Sequence, residues 1–334
     1  MLSQQPRLSL KDARRITERA IDKSEGLGVR GAFVVADDGG ILLTASRMDG
    51  SGSIGIPISR AKTYEAASNR EASDQFAKRV SSMFVGIYMG YERILRDKIF
   101  PGAGAILVRR QGTVVGAVST AGSIGPHCKF AGLDPRKLIL EGKPTNAEDM
   151  IISYAAESPY LSQHGDDLKR WTEAYGSAPA EGERGLAHEV APRASQQVML
   201  NAAIALADAA IAIAQEMKVL ACITIVDRHG DIVQQDRMDG APPMTPDISY
   251  ALATTAVNFV QPSGSVAALI ERHPALARLD DIAPFPILAI PGGLPIFEDS
   301  QVTGALGVAC TDPSKGDAIA HAAIERWASG SRGS

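Results

Sequence analysis

Arg47 and Asp49 stand two residues apart at the predicted end of a strand, so their side chains leave on one face. A guanidinium fork beside a carboxylate can hold an anionic substrate while the carboxylate moves a proton. That makes Asp49 the candidate general base if the protein is an enzyme. A structural ion pair pinning the loop to the sheet is the alternative. The residues that follow, Gly50-Ser-Gly-Ser-Ile-Gly55, have the glycine spacing of a dinucleotide-binding loop. That reading needs a parallel strand–helix–strand unit, and predicted hairpins surround the loop. A weaker reading survives. Backbone N–H groups around Gly50, Gly52 and Gly55, with the start of the next helix, can bind an anion such as a carboxylate. Lys62 lies one turn into that helix and can point back at the same loop, to fix an anion or act as a base if buried. A solvated helix lysine is the alternative. His127 and Cys128 are adjacent, and either side chain can serve as a ligand. Neighbouring residues seldom bind one ion together, and no Cys-x-x-Cys or His-Glu-x-x-His pattern occurs, so no metal site is expected. His164, His188, His229, His273 and His321 read as surface or cap residues. Neither a Gly-x-Ser-x-Gly elbow nor a P-loop is present, which lowers the serine hydrolase and nucleotide hydrolase readings.

The elements that must position these residues occur twice. Arg47-Met-Asp-Gly50 recurs as Arg237-Met-Asp-Gly240, an offset of 190 from Arg47 to Arg237. The offset holds without a gap from Leu10–Ala67 to Leu200–Val257, with Val29/Val219, Asp37/Asp227, Gly40/Gly230, Ser59/Ser249 and Ala61/Ala251 identical. The match resumes at Pro101-Gly102 and Pro291-Gly292, and again at Val115–Val118 against Thr303–Leu306. The first copy carries an insertion over 123–145 that the second lacks. Each copy is too long for a solenoid repeat and long enough to bury a core of its own. The expected organisation is a first domain over 1–160, a polar linker over 161–197 and a second domain over 198–334.

Periodicity gives each copy the order helix, hairpin, helix, hairpin, helix. Leu10–Leu27 has apolar residues at helical spacing. Its counterpart, Leu200–Met217, is Ala-rich nearly all round, which predicts deeper burial. Ala32–Ala36 and Ile41–Ser46 flank the turn Asp37-Asp-Gly-Gly40. A helix is predicted from about Pro57 to Val80, and its counterpart from Thr245 to about Phe259. Hairpins imply antiparallel pairing, so the class is α+β with helices covering the sheet.

Composition bounds the rest. The chain has 334 residues, 22% charged and 45% hydrophobic, and a formal charge of −4. This is a folded, near-neutral protein with no electrostatic drive toward nucleic acid. No apolar run is long enough to cross a membrane, and the first ten residues lack a signal-peptide pattern. Three scattered cysteines form no disulfide framework. The cytoplasm is the expected compartment. With only 5% aromatic residues, the core must be built from Ala, Val, Ile and Leu.

The ordered pattern resembles the GlcG/HbpS-like family, also called the haem-degrading or PduO C-terminal domain. It runs V-x-D-x-x-G, R-M-D-G, a helix with S-x-A, P-G-G-x-P and G-A-x-G-V. The second copy carries Val226-Asp227, Arg237–Gly240, Pro291-Gly-Gly-Leu-Pro295 and Gly304-Ala-Leu-Gly-Val308. The first departs at Pro101-Gly-Ala-Gly-Ala105 and at Ser119, and the second at Leu252, where Lys62 matches the family lysine. The resemblance implies two tandem profilin-like domains, each an antiparallel sheet with helices on its faces. It also implies homo-oligomers and a link to haem or corrinoid binding.

Two function classes follow. One is a cytoplasmic binding protein for haem or another tetrapyrrole. The other is a cofactor-free acid–base enzyme, of lyase, hydratase or isomerase type, acting on a small anionic or aromatic catabolic intermediate. Against haem stand the few aromatics and the lack of an axial ligand outside the insertion. Against an enzyme stands the lack of a nucleophile–base pair. The first copy keeps Lys62 and gains His127 and Cys128, so one working site is expected there, beneath the Gly50–Gly55 loop.

Overall fold

The computed structural model describes residues 6–83, 85–95, 98–122, 138–162, 199–274, 276 and 283–331. Contacts divide the chain into two compact units, 1–41 with 47–195, and 42–46 with 196–334.

The first unit opens with α1 (Leu10–Leu27). Ser9 caps it: its Oγ accepts the Asp12 N–H at 3.1 Å and donates to Asp12 Oδ2 at 2.6 Å. Gly28, at φ 71, closes it in the left-handed conformation. Then come β1 (Ala32–Asp37), the turn to β2 (Leu42–Arg47), and helices α2 (Gly55–Asn69), α3 (Ser73–Ser81) and α4 (Val85–Leu95). The strands β3 (Ala105–Arg110) and β4 (Thr113–Ala121), a short pair β5 (Ile139–Leu140) and β6 (Lys143–Pro144), and α5 (Ala147–Ala156) complete it. Its sheet runs β3–β4–β1, antiparallel throughout. Helix α2 lies on β1 and β4, and α1 packs on β1 and α5.

The second unit repeats the order with α6 (Leu200–Glu216), β7 (Ala221–Asp227), β8 (Ile232–Arg237), α7 (Thr245–Phe259), α8 (Ser263–Arg272), β9 (Gly293–Glu298), β10 (Gln301–Cys310) and α9 (Gly316–Ser331). Its strands run β9–β10–β7–β8, antiparallel, and Leu42–Ser46 of β2 adds a fifth beyond β8. That last pairing is tied by side chains as well. Thr44 Oγ1 donates to Asp236 Oδ1 at 2.8 Å and Ser46 Oγ to Gln234 Oε1 at 2.7 Å.

The α+β class and the antiparallel pairing agree with the sequence reading. So does the duplication, down to a bulge. Gly116 faces Val108 and Val114 faces Arg109, while Gly304 faces Ile296 and Val302 faces Phe297. Val115 and Thr303 are the residues skipped, at equivalent places. The repeated Asp-x-x-Gly is a turn that an aspartate ties to its own backbone. Asp37 Oδ1 accepts the N–H groups of Gly39 and Ile41, and Asp227 Oδ1 those of His229 and Asp231.

Three expectations need correction. The long helix from Pro57 to Val80 is two helices: it starts at Gly55 and breaks at Arg70, which sits at φ 60. Val260 does the same at φ 56 at the end of α7. Neither residue is a glycine, and only the second break is marked by a breaker, Pro262, two residues on. The match of Pro101-Gly102 to Pro291-Gly292 also shifts. Thr120 N–H donates to Gly104 and Val308 N–H to Gly292, so Gly104 is the counterpart of Gly292. Finally, α6 buries one face as α1 does, because its outward alanines need no cover.

Candidate functional site

The loop from β2 to α2 carries Arg47, Asp49 and the three glycines. Met48 N–H donates to Gly31 and Ser51 N–H to Met48, both at 3.0 Å. Gly50, at φ 79, makes the left-handed turn that only glycine takes freely. Arg47 Nη1 donates to the Ser51 carbonyl at 3.3 Å, so the guanidinium ties its own loop. The second copy repeats this. Arg237 is buried, and it donates to the carbonyls of Ala241 at 3.1 Å and Leu42 at 2.7 Å. Asp49 is half-buried on the same turn, Gly50 and Gly52 are exposed, and Gly55 is buried at the head of α2.

Lys62 points elsewhere. It is 3% exposed, and its Nζ donates to the carbonyls of Ala103 at 2.8 Å and Thr120 at 2.6 Å. It also pairs with Glu148 Oε2 at 3.4 Å. The site therefore brings Arg47, Asp49 and the glycines together on one loop and sends Lys62 into the core. Gly104, at φ 111, makes that possible: a Cβ there would stand 2.5 Å from both Lys62 Nζ and Glu148 Oε2.

Sequence reasoning missed the acids around this lysine. Glu65 is fully buried one turn further along α2. Its Oε2 accepts the Phe100 N–H at 3.2 Å, and among the described residues its Oε1 has no partner. Burial pushes Glu65 up to about 9, so it is a neutral carboxylic acid at neutral pH. Asp149 is also buried and raised by burial, with Thr145 Oγ1 and Ser162 N–H on its Oδ2 at 2.9 and 2.7 Å. Tyr160 donates to Asp74 Oδ1 at 2.5 Å, and burial, then the Asp74 charge, hold its phenol protonated. The available signal was the spacing of Glu65 three residues after Lys62 on the inward face of α2.

Lys62, Glu148 and Glu65 have uncharged counterparts in the second unit, whereas Asp149 has Asp317. Leu252 stands for Lys62, and its Cδ1 would lie 3.1 Å from a Cβ on Gly292. Gly316 stands beside Gly292 and the Val308 carbonyl, where Glu148 stands beside Gly104. Thr255 Oγ1 accepts the Leu288 N–H at 2.7 Å, as Glu65 accepts that of Phe100.

A separate hollow of about 370 Å³ lies between α1 and α5, lined by Arg19, Lys23, Leu140, Met150, Tyr154 and Pro159 among others. Arg19 is engaged there, donating to the Tyr154 carbonyl at 2.7 Å and pairing with Glu157 at 3.2 Å. His127 and Cys128 lie outside the described residues. Among the described residues, no three His, Cys, Asp or Glu side chains gather as metal ligands, and no helix is long and apolar enough to cross a membrane.

The family model described as "Haem degrading protein HbpS-like" matches residues 8–127 and 198–325. The chain belongs to the HbpS-like family. Both copies of this HbpS-like chain are matched, and the glycine turns and arginine-tied loops just described recur in each. No curated protein matches it. Among solved structures it is similar to protein ORFY of Klebsiella pneumoniae, at 27% identity over 43% of this chain and 98% of that one, with a TM-score of 0.39. A double mutant of Streptomyces reticuli HbpS is 28% identical over 42% of this chain and 98% of its own, with a TM-score of 0.37. A PduOC:haem complex is 24% identical over 39% and 94%, with a TM-score of 0.36.

Proposed function

We propose that this HbpS-like chain binds a small anionic molecule, haem or another tetrapyrrole, at one site in its first copy. The match of the haem-degrading HbpS-like model to both copies carries this reading. The site is the Arg47–Gly55 loop, with Arg47, Gly50, Gly52 and Gly55 facing the ligand. Lys62 supports it from within, through the carbonyl of Thr120 at the end of β4. His127 and Cys128 are the candidate axial ligands. Hemin titration of the purified protein should give a saturable Soret shift. His127→Ala or Cys128→Ala should then change the ligand-field bands. No saturable shift removes haem, and a shift untouched by both substitutions removes the two ligands.

One observation favours a second reading, a cofactor-free acid–base enzyme. Glu65 is a buried neutral acid with one oxygen unpartnered, the kind of perturbed group found at functional sites. Asp49 remains the general base in that reading. Asp49→Asn should then lower turnover by about a hundredfold or more, and Asp239→Asn should leave it nearly unchanged. Equal losses would make the motif structural. We take the protein to act in the cytoplasm as a homo-oligomer, and Ile87, Met89 and Ile94, exposed along α4, support the second point. Light scattering of the purified chain tests it, and a monomer mass would reject it.

A further inference from the structure

The two copies differ in one direction at the start of the helix that follows the arginine-tied loop. Ser51, Gly55, Ile56 and Pro57 in the first copy stand where the second has Ala241, Thr245, Pro246 and Asp247. Ser51 is 9% exposed, and among the described residues its Oγ has no hydrogen-bond partner. Buried hydroxyls are normally satisfied, so this one requires an explanation. Two glycines flank it. A Cβ on Gly122, which sits at φ 85, would lie 3.3 Å from Ser51 Oγ, and one on Gly55 would lie 3.8 Å from it. The Gly55 Cβ would also stand 2.7 Å from the Ala32 side chain, so a larger residue at the head of the helix would crowd β1.

The helix behind it is uncapped. α2 has fifteen residues, no side-chain hydrogen bond at its cap and no acidic residue in its first turn. The first-turn N–H of Ile56 has no acceptor within the helix. The second copy's helix also lacks a side-chain cap hydrogen bond, but it differs at each of these residues. Ala241 brings no hydroxyl. Thr245 turns its Oγ1 back on the Pro242 carbonyl at 2.7 Å. Pro246 has no N–H to offer, and Asp247 supplies the first turn of α7 with a carboxylate of its own. The second copy carries its own anion at this helix end, and the first has no acidic residue there beside an unsatisfied O–H.

We infer that Ser51 Oγ and the Ile56 N–H form a binding point for a carboxylate of the ligand, present in the first copy alone. The inference rests on the small-molecule-binding reading above and narrows the ligand to carboxylates. A propionate of a tetrapyrrole and the carboxylate of a smaller aromatic acid share that chemistry. A charged acceptor takes the hydroxyl's proton in a short, charge-assisted bond and meets the positive end of the helix.

The test compares the full-length chain with its Ser51→Ala variant, which takes the residue of the second copy. Hemin and hemin dimethyl ester are titrated by absorbance, and benzoate by calorimetry. Ser51→Ala should weaken whichever carboxylate binds by about tenfold. It should leave the ester and the melting temperature unchanged. If hemin binds and benzoate does not, the source is a tetrapyrrole. If benzoate alone binds and weakens in the variant, the tetrapyrrole reading fails and the carboxylate point stands. Equal affinity of both proteins for every carboxylate that binds would overturn the inference and leave tetrapyrrole binding intact. If neither hemin nor benzoate binds the unaltered chain, both fall.

Discussion

Position 62 and its counterpart 252 mark where the two copies part. Lys62 reaches two carbonyls and Glu148 in the interior of the first unit. Leu252, fully buried on the same turn of the same helix, packs against Gly292. The partner changes with it, from Glu148 to Gly316. The framework signals, the Asp-x-x-Gly turn, the tied arginine and the β-bulge, persist in both. The Lys62–Glu148 pair occurs in the first copy alone, and a buried ion pair is a weak source of net stability.

That contrast can be broken most sharply at the ion pair. Lys62→Met leaves the Glu148 carboxylate buried without its cation, and denaturant unfolding should show a loss of about 3–5 kcal/mol. Changing both residues to the uncharged kind, Lys62→Leu with Glu148→Ala, should recover most of it. A double variant as unstable as the single one would mean that the two copies do not exchange charge for apolar packing at this place.

Glu65 sharpens the same contrast through pH. The folded chain holds its proton up to about pH 9, whereas the ordinary value is 4.5. The folded state thus binds more protons than the unfolded state between those values. The stability tied to neutral Glu65 is whole below pH 4.5 and is lost as pH rises through 9. By pH 7 the loss is about 3 kcal/mol. Glu65→Gln keeps an acceptor for Phe100 and has no proton to lose. It should raise the melting temperature at pH 8 and flatten its pH dependence. An unchanged slope would mean that Glu65 is ionised in the fold.

The arginines give the smallest difference. Arg237 is buried on two carbonyls, whereas Arg47 is half-buried and donates to the Ser51 carbonyl at 3.3 Å. Arg237→Ala should cost about 2 kcal/mol and Arg47→Ala about 1 kcal/mol or less, read from unfolding midpoints. The reverse order would give Arg47 the larger structural role and weaken its assignment to ligand.

How far the sequence reaches follows from the same residues. Local chemistry was legible: the Asp37 and Asp227 turns, the Gly50 and Gly240 turns, and the strands between them announce themselves by residue type and spacing. The repeat made each signal count twice. What depended on the third dimension was not legible. A lysine one turn into a helix points to its loop or into the core according to what packs beneath it, and Gly104 decides that from 42 residues away. Glu65 and Asp149 read as helix-surface acids until their burial is known. Arg70 and Val260 end helices without a glycine because tertiary packing holds their left-handed backbone. The hydroxyl of Ser51 reads as one more small residue in a glycine-rich loop until its missing partner is seen.

We propose one working site per chain, in the first of its two copies. Hemin titration followed at the Soret band, with the stoichiometry read from the break point, tests this most directly. One equivalent per chain is predicted, with Ala241 and its neighbours in the second copy adding none. Two equivalents per chain, or no saturable binding at all, would contradict it.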